Sequence, residues 1–170
     1  MRMEKLLRSV AGGASLVALL LTLAPSIQAE ESPQCAKLLT QAKLDTATGE
    51  TFSEVSDPVV YAEGFTLCSF FAAKGTKSVM LTFHTLPAIQ DGMFPTETVA
   101  EYFDMNVQSA EDTGGTKGKP LKGIGIRAVL FTEPERLRAY VETKQGFAEL
   151  VATGLTGKQF DAVAKAAFAP

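Results

Sequence analysis

The chain has no tryptophan, one histidine and two cysteines. Each scarcity removes a class of chemistry. A Ser-His-Asp triad, like most catalytic zinc sites, would have to use His84, and no G-x-S-x-G turn accompanies it. His84 therefore reads as an exposed or hydrogen-bonded structural residue ahead of a catalytic one. Two cysteines far apart, Cys35 and Cys68, are neither a C-x-x-C redox pair nor a four-ligand zinc set. The absence of Trp removes a common sugar-stacking side chain, a part that Tyr61, Tyr102 and Tyr140 can take. Excess charge of one sign is missing too. With 16 Lys and Arg against 19 Asp and Glu, the net charge is −3. That balance weighs against nucleic acid, whose binding is largely cationic neutralisation of phosphates, and against electrostatic docking on anionic lipid. No cofactor and no metal are expected.

Long apolar runs are scarce as well, and the one that exists sits near the start. Arg2, Lys5 and Arg8 form a basic stretch, residues 16–24 are almost wholly apolar, and Pro25 and small Ala29 follow. A bilayer span needs roughly 20 apolar residues, so this run is too short. The order of basic, apolar and small-residue segments is that of a cleavable secretory signal. Residues 1–29 are accordingly expected to be a signal peptide and residues 30–170 a single domain, periplasmic or secreted, with no membrane span after cleavage. Cys35 follows Ser32-Pro33-Gln34, a poor lipidation sequence. Removing three basic residues and Glu4 leaves the remainder more acidic than the whole chain.

Export brings the two cysteines into an oxidising compartment, where an even count invites pairing. A Cys35–Cys68 bridge would close a loop of roughly 34 residues, constraining the unfolded chain by about 3–4 kcal/mol on the loop-entropy model. The rival readings are a redox pair and a metal pair.

Ser32 and Pro33 read as the cap and first position of a helix carrying Cys35, Leu38 and Leu39 on one face. Thr40 caps a second turn through Leu44 and Ala47, stopped by Gly49. Residues 50–60, polar and with Pro58, read as a loop. Residues 65–71 and 78–86 alternate as strands and should form an antiparallel hairpin. Thr98 and Glu101 make a capping box, and Val99, Tyr102, Phe103, Val107 and Ala110 repeat at helical spacing behind it. Residues 113–122 are a Gly/Lys-rich loop. Strands are expected over 124–132, 137–143 and 147–153, the last two joined around Lys144-Gln145-Gly146. A second capping box at Thr156 and Gln159 opens an amphipathic helix with Phe160, Val163, Ala164, Ala167 and Phe168 on one face. The sum is an α+β plan: an antiparallel meander sheet of about five strands with helices on one face.

Motifs that tempt a functional assignment fail on spacing. Gly114-Gly115-Thr116-Lys117-Gly118-Lys119-Pro120 has the wrong intervals for a phosphate loop, and Pro120 stands where a magnesium-binding hydroxyl belongs. Gly123-Ile124-Gly125 lacks the third glycine and the helix of a dinucleotide fingerprint, and reads as a bend or bulge. The carboxylate pairs Glu97/Glu101 and Glu111/Asp112 lie on helical stretches, where a solvated face is their ordinary role.

At Cys35-Ala36-Lys37-Leu38-Leu39-Thr40, with Gly49 closing the segment, Cys68 in the next strand and Gly123-Ile124-Gly125 before Arg127-Ala128, the chain resembles a class of uncharacterised exported domains. These occur in actinobacterial lipoproteins and other bacterial secreted proteins. This chain departs from them in lacking a lipobox, so the resemblance implies neither an anchor nor an established activity. The functional expectation is an exported, non-enzymatic binding or interaction module for a small ligand or an envelope protein. Its candidate contact residues are His84, Arg127 and Tyr102, polar or amphipathic side chains on ordered elements. The alternatives are an exported hydrolase with an unrecognised site, and a secreted protein that acts on a foreign protein.

Overall fold

A computed structural model describes residues 34–54 and 59–169. The signal-peptide segment and the Ser32-Pro33 cap lie outside the described residues, as does the part of the 50–60 loop around Pro58. Helix α1 (Gln34–Leu38) carries Cys35 inward, and α2 (Gln41–Thr48) follows at once. Thr40 accepts from the Lys43 amide, and Gly49 closes α2 in the left-handed conformation. Strands β1 (Phe52–Glu54), β2 (Val59–Ala62), β3 (Phe65–Ala72) and β4 (Ser78–Thr85) come next. Helices α3 (Leu86–Gln90) and α4 (Val99–Gly114) interrupt the strands. After them run β5 (Lys119–Pro120), β6 (Arg127–Thr132), β7 (Arg136–Glu142), β8 (Gly146–Thr153) and α5 (Gly157–Phe168). Both expected capping boxes are formed, at Thr98/Glu101 and Thr156/Gln159.

The strands make one antiparallel sheet of eight, in the order β1-β3-β4-β8-β7-β6-β5, with β2 also paired to β3. The α+β class stands. Two finer expectations do not. The sheet has eight strands rather than about five, because β1, β2 and β5 are edge segments of two to four residues. Such segments are too short for alternation to declare itself, and Pro120 is tolerated in β5 because an edge strand has unpaired positions. Nor is the sheet a simple meander. The β3–β4 hairpin and the β5–β8 meander are joined through α3 and α4, so that the last strand, β8, lies beside β4.

The helices cover both faces, not one. Residues opposite each other in a ladder share a face, so the register reads off two inner surfaces. On the first, Cys68, Leu81, Leu150, Ala139 and Leu130 form one row, and Phe70, Val79, Ala152 and Leu137 the next. This surface packs with Leu39, Leu44, Phe160, Val163 and Phe168, from α2, α5 and the segment after α1. The alanines of β7 and β8 leave room for the rings of α5. On the second face, Phe147, Tyr140 and Phe131 pack against Phe103 of α4 and Ile89 of α3, with Val99 and Val107 at the margin. Two-sided burial has a sequence cause. Strand β8 reads Phe-Ala-Glu-Leu-Val-Ala, nearly continuous rather than alternating, which is the pattern of a strand covered on both sides.

A disulfide joins Cys35 to Cys68 across a Cα–Cα distance of 5.8 Å, fastening α1 to β3, and both residues are fully buried. The Thr66 hydroxyl beside it accepts the Cys35 amide at 3.2 Å. At the other end, Gln159 of α5 donates to the Thr48 carbonyl at 3.1 Å and so closes α5 onto α2. No helix among the described residues is long and apolar enough to cross a membrane.

Candidate functional site

The second face of the sheet gathers aromatic, acidic and basic side chains across its central strands. Three rows cross it. The first runs Phe65, His84, Phe147, Glu142, Arg127; the second Leu67, Thr82, Glu149, Tyr140, Val129; the third Ser69, Met80, Val151, Arg138, Phe131. Helix α4 lies over the β6–β8 end of the first two rows. Toward β3 the face is open, with Met80 and Phe71 exposed.

His84 and Tyr102 come together. The His84 ring stacks on Phe65 at 4.2 Å between centroids and lies 5.8 Å from Tyr102 and 6.0 Å from Phe147. Tyr102 in turn meets Phe147 edge-on at 5.1 Å. This aromatic setting withholds water, and burial pushes the His84 pKa down, so the imidazole is neutral near pH 7. The Tyr102 hydroxyl is held above its ordinary value, first by burial, with Glu149 and Tyr140 adding to the rise.

Arg127 belongs to the same row as His84 but three strands away, about 14 Å at ordinary strand spacing. Its donors are committed. Nε binds Glu142 at 2.5 Å, Nη1 binds Asp104 at 2.8 Å, Nη2 reaches the Ala100 carbonyl at 3.3 Å, and the guanidinium sits 4.5 Å over the Phe103 ring. The hydrogen bond that Nε donates to Glu142 is the main cause that raises the Arg127 pKa and holds its charge in place. Arg127 thus holds α4 on the sheet through its contacts with Asp104, the Ala100 carbonyl and Phe103.

The residues sequence reasoning missed are Glu149 and Arg138. The Arg138 Nη1 lies 3.1 Å from the Tyr140 hydroxyl and 3.3 Å from a Glu149 oxygen. Its Nε stands 3.0 Å from Glu133, a distance for ion pairing, yet it is not aligned for a hydrogen bond and has no hydrogen-bond partner among the described residues. Glu133 also pairs with Arg136. Burial pushes the Glu149 pKa up, and the guanidinium of Arg138 opposes that only in part. A signal existed: Glu149 is the one charged residue in the apolar run of β8, and a charge in such a run is seldom buried without a reason. The side chain is 29% exposed.

Two glycines make this arrangement possible. A Cβ on Gly146 would lie 2.1 Å from the His84 carbonyl oxygen, so β8 could not approach β4 at His84 with a larger residue there. This close approach requires the glycine that closes the β7–β8 turn. Gly125, at φ 57°, would bring a Cβ within 2.4 Å of the Glu142 carbonyl oxygen. With Gly123 it forms the expected bend before β6 and tucks Ile124 into the core.

Among the described residues there is no group of three or more His, Cys, Asp or Glu placed to hold a metal ion. One recess, of about 400 Å³ and lined by Glu50, Thr51, Ala73 and Lys74, lies on another part of the chain. A second, of about 640 Å³, is lined by Gln90, Pro95, Thr96, Glu97 and Glu101. Neither gathers aromatic, cationic and anionic side chains as the open sheet face does. No family model, curated protein or solved structure matches the chain.

Proposed function

We propose that the protein is an exported, non-enzymatic binding module whose ligand seats on the open sheet face beside α4. The observation that carries this is the convergence of Tyr102, Glu149 and Arg138 beside His84 on one face of the sheet, with the buried Tyr140 hydroxyl accepting from Arg138 beneath them. A carboxyl left with a single 3.3 Å ion-pair contact, beside exposed Met80, offers both an anchor and an apolar contact. The disulfide and the leader-like first segment support placement outside the cytoplasm.

An exported hydrolase is the other reading, favoured by one feature: the neutral imidazole and the carboxyl of raised pKa stand in neighbouring rows of one face. General acid–base work needs such a pair within reach of one reacting group. If an activity is found, His84→Ala and Glu149→Gln should each abolish it; an activity indifferent to both belongs to another site.

Native mass spectrometry of the mature protein, purified from its exporting compartment, tests the binding reading. The expected result is a small-molecule adduct on the wild type that is lost in Glu149→Gln and in Tyr102→Ala. An adduct of equal occupancy in both variants would move the site elsewhere. A chain found only in the cytoplasm, with its leader intact, would remove the export.

A further inference from the structure

Two exposed surfaces of opposite charge lie apart from the sheet face just described, and we infer that they join one copy of this chain to a second. The acidic surface is the α3–α4 connection with the start of α4. Residues 78–116 hold six acidic residues and no Lys or Arg. Asp104 is taken by Arg127, but Asp91 and Glu97 are exposed and make no ion pair among the described residues. Between them the chain raises Met93 and Phe94 into solvent, 87% and 64% exposed. The Gln90 side chain ties this loop at its base by donating to the Glu97 carbonyl at 3.4 Å. The basic surface is β5 with the loop after it. Residues 113–132 hold Lys117, Lys119, Lys122 and Arg127 and no Asp or Glu. The three lysines are exposed and carry no ion pair among the described residues, and Ile126 beside them is 55% exposed.

Within one chain the two surfaces cannot meet. Helix α3 springs from the end of β4, and β8, β7 and β6 separate β4 from β5, four strand spacings or about 19 Å. Helix α4 is packed on the strands between them. Each surface sets exposed apolar side chains among charges of a single sign, a combination that marks an interaction site, and the signs are opposite. Copies of one chain therefore carry both halves of a contact: Met93 and Phe94 against Ile126, and Asp91 and Glu97 against Lys119 and Lys122. Like surfaces repel, so the unlike pairing is selected. Lysines on the outermost strand also oppose strand-to-strand pairing with a like edge, which leaves side-chain contact with an acidic surface. Anionic lipid is repelled by the carboxylates beside Met93 and Phe94. A second copy is the one partner whose complementary charge is displayed by the structure itself. Unlike surfaces can close reciprocally in a pair or repeat head to tail, and the same contact serves in both.

Analytical ultracentrifugation of the mature, oxidised protein tests this, from about 5 µM to about 1 mM at low salt, where a concentration-dependent mass reports association. The mass should rise with concentration, and roughly 0.5 M salt should weaken the association at least about tenfold, because the charges are exposed. Asp91→Lys/Glu97→Lys and Lys119→Glu/Lys122→Glu should each abolish it. Mixing the two variants should restore it, since each still offers the surface that the other needs. Met93→Ser/Phe94→Ser should weaken it with the charges intact. All six side chains are exposed, so the variants leave the core alone, and far-UV circular dichroism checks each fold. The mass of one chain at every concentration would overturn the second copy. If tetralysine then shifts the Met93 and Phe94 amides saturably in NMR, the acidic surface belongs to a basic partner instead. Association that survives both charge reversals, or that mixing the variants does not restore, would equally overturn the assignment.

Discussion

Removing the disulfide is the sharpest perturbation of this fold, because both of its costs can be worked from position. Cys35 and Cys68 are 33 residues apart in sequence. On the loop-entropy relation, opening a loop of that size restores about 12–13 cal/mol/K to the unfolded chain, or about 3.7 kcal/mol at 25 °C. Both side chains are fully buried between α1 and the first sheet face, so replacing them with Ala also removes packed sulfur. Loss of that packing adds roughly 1 kcal/mol. The double variant Cys35→Ala/Cys68→Ala should therefore lose about 4–5 kcal/mol against a typical total of roughly 5–15 kcal/mol. Equilibrium urea unfolding, followed by far-UV circular dichroism and by tyrosine fluorescence, measures it. The midpoint should fall strongly, and the slope should rise slightly because the uncrosslinked chain exposes more surface. Reduction of the wild type in urea should reproduce the same end state, whereas the native protein should resist the same reductant until it opens. A loss under about 1.5 kcal/mol would refute the reasoning, since it would mean that the unfolded chain keeps this loop closed without the bond.

Gly146→Ala should be among the most damaging single-methyl changes, costing about 3 kcal/mol or more, because the new Cβ meets the His84 backbone at 2.1 Å and cannot be accommodated by a rotamer change; thermal melts of this variant beside Gly49→Ala, where nothing lies within 4 Å, separate crowding from backbone preference. Arg127→Met should cost about 1–2 kcal/mol after allowance for partial exposure, and should raise hydrogen exchange selectively in α4, which the side chain holds through Asp104 and the Ala100 carbonyl; uniform exchange across the sheet would contradict the positioning role. His84, whose pKa burial depresses, should titrate in NMR below an exposed histidine. The stability it contributes is present above about pH 6.5 and is lost as pH falls through the lowered folded value. Glu149 is raised, chiefly by burial, so its contribution is fully present below about pH 4.3 and is lost as pH rises through the folded value. Glu149→Gln should therefore melt higher than wild type near pH 7 and equally at pH 4, and a variant less stable at pH 7 would show that Arg138 outweighs burial.

What the sequence determined by itself is local. Thr98 with Glu101 and Thr156 with Gln159 specify where α4 and α5 begin, since each hydroxyl and side chain satisfies amides that only a helix start leaves unpaired. Alternation over residues 65–71 and 78–86 specifies the first hairpin, and two cysteines on inward faces of α1 and β3 specify the bridge. Edges were not legible, because a two- or four-residue strand has too few positions to show a period. The second helical layer was only half legible: the apolar run of β8 declares burial on both sides, but not which helix provides it. The candidate site was decided by tertiary structure alone. His84, Tyr102, Glu149 and Arg138 come from β4, α4, β8 and β7, and only the insertion of β8 between β4 and β7 sets them on one face. Arg127 shows the same limit from the other side. Its charge is plain in the sequence, but whether a guanidinium is free or spent depends on the acids that folding brings to it, here Glu142 from β7 and Asp104 from α4.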